Sequence, residues 1–252
     1  MIEISLNLTL LLITAGFIAG IVDSIAGGGG LITVPALLLA GLPPIQALAT
    51  NKVQGAFGAG TAALAYSRRG HVDLRRQILP AALAFGAAFA GSKLVPSIPV
   101  ATMKLLLPLV LVVIALFFAL KPSLTDADRD QRLSPALFTA MVVPIVGFYD
   151  GLVGPGAGSF FVIGFVLLAG HGILKATAHT KLLNFASNTG SLLAFALAGA
   201  PLWGLGLAMG LAQAAGAQLG SHLAMRVGAR LIKPLLTVTS TAMALRLIWQ
   251  ML

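Results

Sequence analysis

The sequence predicts an all-α polytopic membrane protein of eight to ten transmembrane or half-spanning helices, arranged as two homologous, inverted repeats. Three observations carry the prediction. Hydrophobic residues make up 58% of the chain and charged residues 9%, against roughly 45–50% and about 25% in ordinary globular domains. Apolar runs long enough for a hydrocarbon core of ~30 Å, which takes ~20 helical residues, recur from end to end. Two glycine-rich stretches also say nearly the same thing, GIVDSIAGGGG from Gly20 and GFYDGLVGPGA from Gly147. The apolar runs are continuous, which argues against a barrel, whose strands alternate over ~10 residues.

The first element is the run MIEISLNLTLLLITAGFIAGI. A secretory signal needs a positive n-region, and the only early charge here is Glu3, so the run reads as a retained helix. The glycines at 27–30, with Pro35 shortly after, break it, and 31–40 is a short segment of its own. Spans at 45–66, 78–95 and 103–120 complete a first repeat, residues 1–120. Residues 121–134, KPSLTDADRDQRLS, are the only strongly polar stretch and read as a solvated, mobile cytoplasmic linker. The second repeat, 135–252, holds a helix over 135–150, the second glycine block, and spans at 176–198, 202–225 and 231–252.

At an offset of 127, Gly20, Asp23, Gly27 and Gly29 meet Gly147, Asp150, Gly154 and Gly156; at 129, Lys52 meets Lys181, Gly91 and Ser92 meet Gly220 and Ser221, and Lys104 meets Lys233. Apolar matches are cheap in such a composition, so the Asp, Lys and Gly matches carry the weight. Orientation follows from charge. With five segments per repeat, the loops at 67–76, 121–133, 170–175 and 226–231 share one side and hold nearly all the loop Lys and Arg. The opposite side receives loops without either, and cytoplasmic loops are the basic ones. An odd count of segments inverts the second repeat.

The net charge of +9 sits mainly in those short loops, so it reports topology rather than nucleic-acid binding. Cysteine is absent, which removes disulfides and thiolate metal sites. Four scattered histidines do not make a metal centre, and no cofactor is expected. Ser159 lacks a G-x-S-x-G setting, so an enzyme is not expected.

The chemistry-bearing residues fall in the duplicated blocks. Lysine inside an apolar span is costly and a functional candidate by default. Lys52 and Lys181 occur in both repeats with polar neighbours, Thr50, Asn51 and Gln54 in one and His179, Thr180, Asn184, Ser187 and Asn188 in the other. That favours ligand contact over snorkelling to an interface. Asn184 lies one turn from both Lys181 and Asn188, so one helical face presents all three. Gly27, Gly28, Gly29 and Gly30 either line a substrate path or let helices pack closely. A helix beginning after such a break aims its N-terminal dipole at the gap, which suits an anion. Asp23 and Asp150 are read first as structural partners of the lysines, and second as proton carriers. His179 is read as a hydrogen-bonding group. Paired aspartates, cations and broken backbone point to a small-anion site, and so to a transporter.

The blocks GIVDSIAGGGGLITVPALLLAGLPPIQALATNK and GFYDGLVGPGAGSFF followed by ATAHTKLLNFASN resemble the two signature blocks of the TauE/SafE sulfite exporter family. The resemblance covers essentially the whole chain. It implies a bacterial inner-membrane secondary transporter, exporting a small anion such as sulfite or an organosulfonate like sulfoacetate. It also implies a pathway formed by Asp23, Gly27 to Gly30, Thr50, Asn51 and Lys52, then Asp150, Gly154, Gly156, Gly158, Lys181, Asn184 and Asn188. An anion channel and a cargo-free membrane assembly protein are the alternatives. Expected partners are the anion and the lipid bilayer, with no nucleic acid. The Gly- and Ala-rich helix faces suit internal packing or a homodimer equally.

Overall fold

The computed structural model describes residues 5–99, 102, 125–232, 234, 235 and 238. The predicted span 103–120, most of 231–252, and Lys104 with Lys233 lie outside them. Helix α1 (Leu6–Ala26) starts at Ser5, whose Oγ accepts the Leu8 N–H at 3.3 Å, and stops where Gly27 turns to φ 76. That left-handed conformation suits a residue without Cβ. A short helix α2 (Gly29–Leu39) follows, then α3 (Pro44–Arg68) and α4 (Ile78–Leu94). After the linker, α5 (Pro135–Leu152) contains a π-helical stretch, Phe138–Val142, just before Pro144. Proline has no N–H for the carbonyl four residues back, and a widened turn accommodates the loss. The glycine block Val153 to Gly156 separates α5 from the short α6 (Ala157–Leu167), and α7 (Ile173–Leu197) and α8 (Trp203–Val227) follow.

The order of a long helix, a break, a short helix and two long helices thus occurs twice. Pro35 lies inside α2 without ending it, so the break is narrower than the glycine run, confined to Gly27 and Gly28.

The helices of the two halves interlock. α1 packs along α8, and α5 along α4. Both crossings are backbone-close: a Cβ on Gly16 would stand 2.9 Å from the Met209 carbonyl oxygen, and one on Gly147 would stand 2.9 Å from that of Ala84. Small residues allow such approach where helices associate by packing rather than by excluding water. α3 and α7 lie against each other at the centre, with α8 flanking α3 and α4 flanking α7.

The distribution of polarity is that of a bilayer protein. Leu6, Leu11, Leu39, Ile78, Leu79, Ile145, Leu197 and Leu211 are exposed, whereas Asp23, Asn51, Lys52, Gln54, Asp150, Lys181, Asn184 and Gln213 are buried. α1 and α5, and the segment Arg75–Ser97, are long and apolar enough to cross a membrane by themselves. α3 and α7 are equally long but carry the buried polar side chains of the interior.

The polar linker is exposed over 125–134, but it is docked rather than loose. The Asp126 carboxylate bridges the first turn of α7 and the segment after α8, accepting the Leu174 N–H at 3.3 Å and the Ala229 N–H at 2.9 Å. Asp128 accepts from Gly172 N at 2.8 Å and Lys175 Nζ at 2.6 Å. These two contacts hold its carboxyl below the usual range. Carboxylates at the first turn of α7 satisfy free N–H groups and meet the positive end of its dipole. Beside them, burial pushes His171 down to about 4, with the neighbouring His179 and Lys175 charges acting the same way. A histidine depressed in the folded state favours the native form above its ordinary value near 6.5, and that contribution fades as pH falls toward 4. Hydrogen exchange over 125–134 and 168–175, corrected for intrinsic rates, is therefore expected to stay level from pH 8 to 7 and to accelerate from pH 6.5 to 4. His171→Leu should flatten the response; an unchanged pH profile in that variant would refute the assignment to His171.

Candidate functional site

The two helix breaks touch. A Cβ on Gly27 would stand 2.6 Å from the Gly158 carbonyl carbon, and one on Gly158 would stand 2.6 Å from the Gly27 oxygen. Breaking a helix inside a membrane frees carbonyls that water cannot solvate, so each needs a protein partner. At the end of α1, Lys181 Nζ donates to the Asp23 carbonyl, Tyr66 Oη donates to that of Ser24 at 3.0 Å, and Ser159 Oγ donates to that of Ala26 at 3.3 Å. At the end of α5, Lys52 Nζ donates to the Asp150 carbonyl at 2.8 Å and Ser92 Oγ donates to that of Gly151 at 2.9 Å. Just beyond, Tyr149 Oη donates to the Pro155 carbonyl at 2.7 Å.

Each lysine therefore caps the broken helix of the other half. A cation at a helix C-terminus also meets the negative end of the dipole. Lys52 does more: its Nζ lies 2.7 Å from Asp150 Oδ1, an ion pair whose two side chains are only 2% and 4% exposed. The second Asp150 oxygen accepts from the Ser187 hydroxyl. Asp23 Oδ1 instead accepts the Gly29 N–H at 3.1 Å, tying the end of α1 to the start of α2.

Between the breaks lies a cavity of about 30 Å³, room for one or two water-sized groups. Asp23, Gly27 and Gly30 form one wall, Asp150, Gly154, Gly156, Ala157 and Gly158 the opposite one, and Asn51, Gly55, Asn184, Asn188 and Gln213 close the sides. Gly30 and Ala157 belong to the first turns of α2 and α6, so two helix N-termini abut the space. Asn51 Oδ1 accepts from Thr33 Oγ1 at 2.6 Å and Gln54 Nε2 at 3.1 Å, which leaves its amide N–H groups for the cavity. Asn188 Nδ2 is spent on the Asn184 carbonyl at 2.7 Å.

Of the residues singled out in the sequence, ten line this cavity: Asp23, Gly27, Gly30, Asn51, Asp150, Gly154, Gly156, Gly158, Asn184 and Asn188. Gly28 and Gly29 form the start of α2. Lys52 and Lys181 stand behind the wall, 1% and 0% exposed. Thr50 Oγ1 accepts the Leu202 N–H at 3.1 Å and so ties α3 to the turn before α8. His179 lies elsewhere, with its Nδ1 2.9 Å from the Lys175 carbonyl and its ring 4.7 Å from that of His171. It belongs to a separate 200 Å³ cavity with Arg76 and Gln131. Gly55, Ala157 and Gln213 are lining residues that sequence reasoning missed. For Gln213 the signal was present: a lone amide in an apolar, Gly- and Ala-rich span.

The sequence pattern of the sulfite exporter TauE/SafE family matches residues 12–247, nearly the whole chain. The chain belongs to that family. Relatives agree: a probable membrane transporter protein, ORF9, of Sinorhizobium sp is 53% identical over 98% of this chain and 94% of its own length. The probable membrane transporter protein YfcA of Escherichia coli K12 is 43% identical over 92% of this chain and 86% of its own. A probable membrane transporter protein of Haemophilus influenzae is 42% identical over 98% and 97%. No solved structure matches. As a TauE/SafE protein the chain is a membrane transporter, a multi-pass protein of the bacterial inner membrane acting on a small-molecule substrate. In this family member the two glycine blocks are the touching helix breaks, and the duplicated lysines are their caps.

Proposed function

We propose that the protein is a secondary transporter, with no enzymatic activity, that exports a small anion, sulfite or an organosulfonate such as sulfoacetate, through the cavity between the two helix breaks. The observation that carries this reading is the convergence of two helix N-termini and the Asn51 and Asn184 amides on one space, with two lysines directly behind it. Helix N-termini and amide donors suit an oxyanion, and buried cations lower the cost of its charge at membrane depth. The cavity has room for one or two water-sized groups, so binding an organosulfonate of several such groups requires the walls to part. Such movement suits a carrier better than an open pore. The exchanged contacts, Lys52 with Asp150 and Lys181 with Asp23, support two oppositely oriented halves, residues 1–120 and 135–252, about a pseudo-twofold axis.

Purified protein in liposomes, assayed for saturable flux of sulfite, sulfoacetate and sulfate, tests the reading; no flux of any of them would reject it. Asn51→Ala and Asn184→Ala are each expected to remove a hydrogen bond to a charged ligand, about 1.5–3 kcal/mol, or roughly 10- to 100-fold in half-saturation. Melting temperature should change little for Asn184→Ala and fall for Asn51→Ala, which also takes the acceptor from the buried Thr33 and Gln54 donors. Unchanged half-saturation in both variants would place the anion elsewhere.

A further inference from the structure

The two carboxylates of the site are not equivalent. Asp150 is held through both oxygens, by Lys52 Nζ at 2.7 Å and by the Ser187 hydroxyl. Asp23 lines the same cavity and is also buried, yet among the described residues its carboxylate accepts only the Gly29 N–H and is in no ion pair. Lys181 donates to the carbonyl of that residue rather than to its carboxylate. The difference is written in the chain: at the offset that pairs Lys52 with Lys181, the counterpart of Ser187 is Gly58, which has no hydroxyl to offer Asp23.

The charged groups around Asp23 are few. α7 supplies Lys181; across the cavity α3 supplies Lys52 and α5 supplies Asp150; α2 and α8 supply only the Gly29 N–H and the uncharged Gln213. The one further titratable neighbour, Tyr66 on α3, spends its hydroxyl proton on the Ser24 carbonyl. Two lysines and two aspartates make this set formally neutral. An anion entering beside an ionised Asp23 would leave an uncompensated negative charge at membrane depth, which membranes strongly disfavour.

Resting on the anion-transport reading above, we propose that Asp23 is the site of a co-transported proton: it takes up H⁺ from solvent as the anion binds, its new O–H donates to the oxyanion, and the two cross together. Both Asp150 oxygens are engaged, by Lys52 and the Ser187 hydroxyl, whereas Asp23 has an oxygen without a hydrogen-bond partner among the described residues to receive the proton. One proton per anion removes one negative charge from the transported load. The direction of net flux is then set by the anion gradient and the pH gradient together, and a monoanion crosses without feeling the membrane potential.

The test uses full-length wild type and Asp23→Asn in proteoliposomes loaded with sulfite or sulfoacetate, with anion efflux and lumenal pH read together. Proton movement is read at about pH 8.5, where both anions are essentially fully ionised and bring no proton of their own. Wild type is expected to alkalinise the lumen as the anion leaves, at about one proton per anion. The variant, fixed in a protonated-like form, should carry the anion with no proton movement. Its flux should also lose the extra pH dependence of wild type, at most about tenfold per pH unit for one linked proton; titration of the anions is common to both proteins and cancels in the comparison. Proton movement retained by Asp23→Asn overturns the proposal. So does wild-type flux without protons, a measurement that stands even if the variant does not fold, and either result leaves the transport reading intact. Absence of wild-type flux for both anions overturns the two together.

Discussion

Lys52→Ala is expected to destabilise the protein by about 3–5 kcal/mol, because removing one member of a buried ion pair leaves the other charge without compensation. Lys52 is 1% exposed and makes two contacts with Asp150, to the carboxylate at 2.7 Å and to the carbonyl at 2.8 Å. Truncation strips the cap from α5 and leaves Ser187 as the remaining partner of the carboxylate. Lys181→Ala is expected to cost less, about 1.5–3 kcal/mol, since it removes a charged donor from the Asp23 carbonyl, which keeps the Gly27 N–H at 2.7 Å, and strands no carboxylate. Thermal melts of the detergent-purified variants measure the difference. Lys52→Ala/Asp150→Ala should recover much of the loss, because the unpaired charge leaves with its partner. A Lys52→Ala protein that melts with wild type would show that the pair contributes nothing to the fold.

The second large effect is expected at the contact between the breaks. Gly27→Ala faces two penalties: a left-handed backbone at φ 76, and a Cβ 2.6 Å from the Gly158 backbone. The conformational part is roughly 1–2 kcal/mol and overpacking adds about 1–3 kcal/mol. Gly41 separates the two, for its φ is 89 but nothing lies within 4 Å of a Cβ there. Gly41→Ala should show the conformational part alone. Gly158→Ala should show mainly the overpacking part, as its Cβ would meet both the Gly27 oxygen and Asn184 Nδ2 at 2.6 Å. Because the contact forms the floor between two cavity walls, Gly27→Ala and Gly158→Ala should also depress anion flux, and Gly41→Ala should not. Melts and flux for the three variants decide it; equal behaviour of Gly27→Ala and Gly41→Ala would remove the packing role.

Much of this was legible in the chain. Apolar runs at 45–66 and 78–95 became α3 and α4 within a few residues, and the runs at 176–198 and 202–225 became α7 and α8. The glycine blocks do break their helices, and ten of the sixteen residues singled out face one cavity. The misjudged features share a cause. The linker looked loose because its composition is polar, yet Asp126 and Asp128 find backbone N–H groups far along the chain, at Ala229 and Gly172. Thr50 and His179 looked like parts of the site because they neighbour Lys52 and Lys181 in sequence, but each points to a different partner.

The sequence by itself determined the solvent, the helices, the places where they break, and which residue types had to be hidden. Hydrophobic periodicity, glycine and intramembrane charge are local or compositional signals, and they act whatever the partner. Only the tertiary structure decided that Lys52 caps the last turn of α5 at the Asp150 carbonyl and Lys181 that of α1 at the Asp23 carbonyl, across separations of 98 and 158 residues. It also decided that the lysines stand behind the cavity rather than in it, and that Gln213 joins the wall. The physical reason is that a broken helix in a membrane must find partners for its freed carbonyls, and which side chain arrives is settled by how the helices cross.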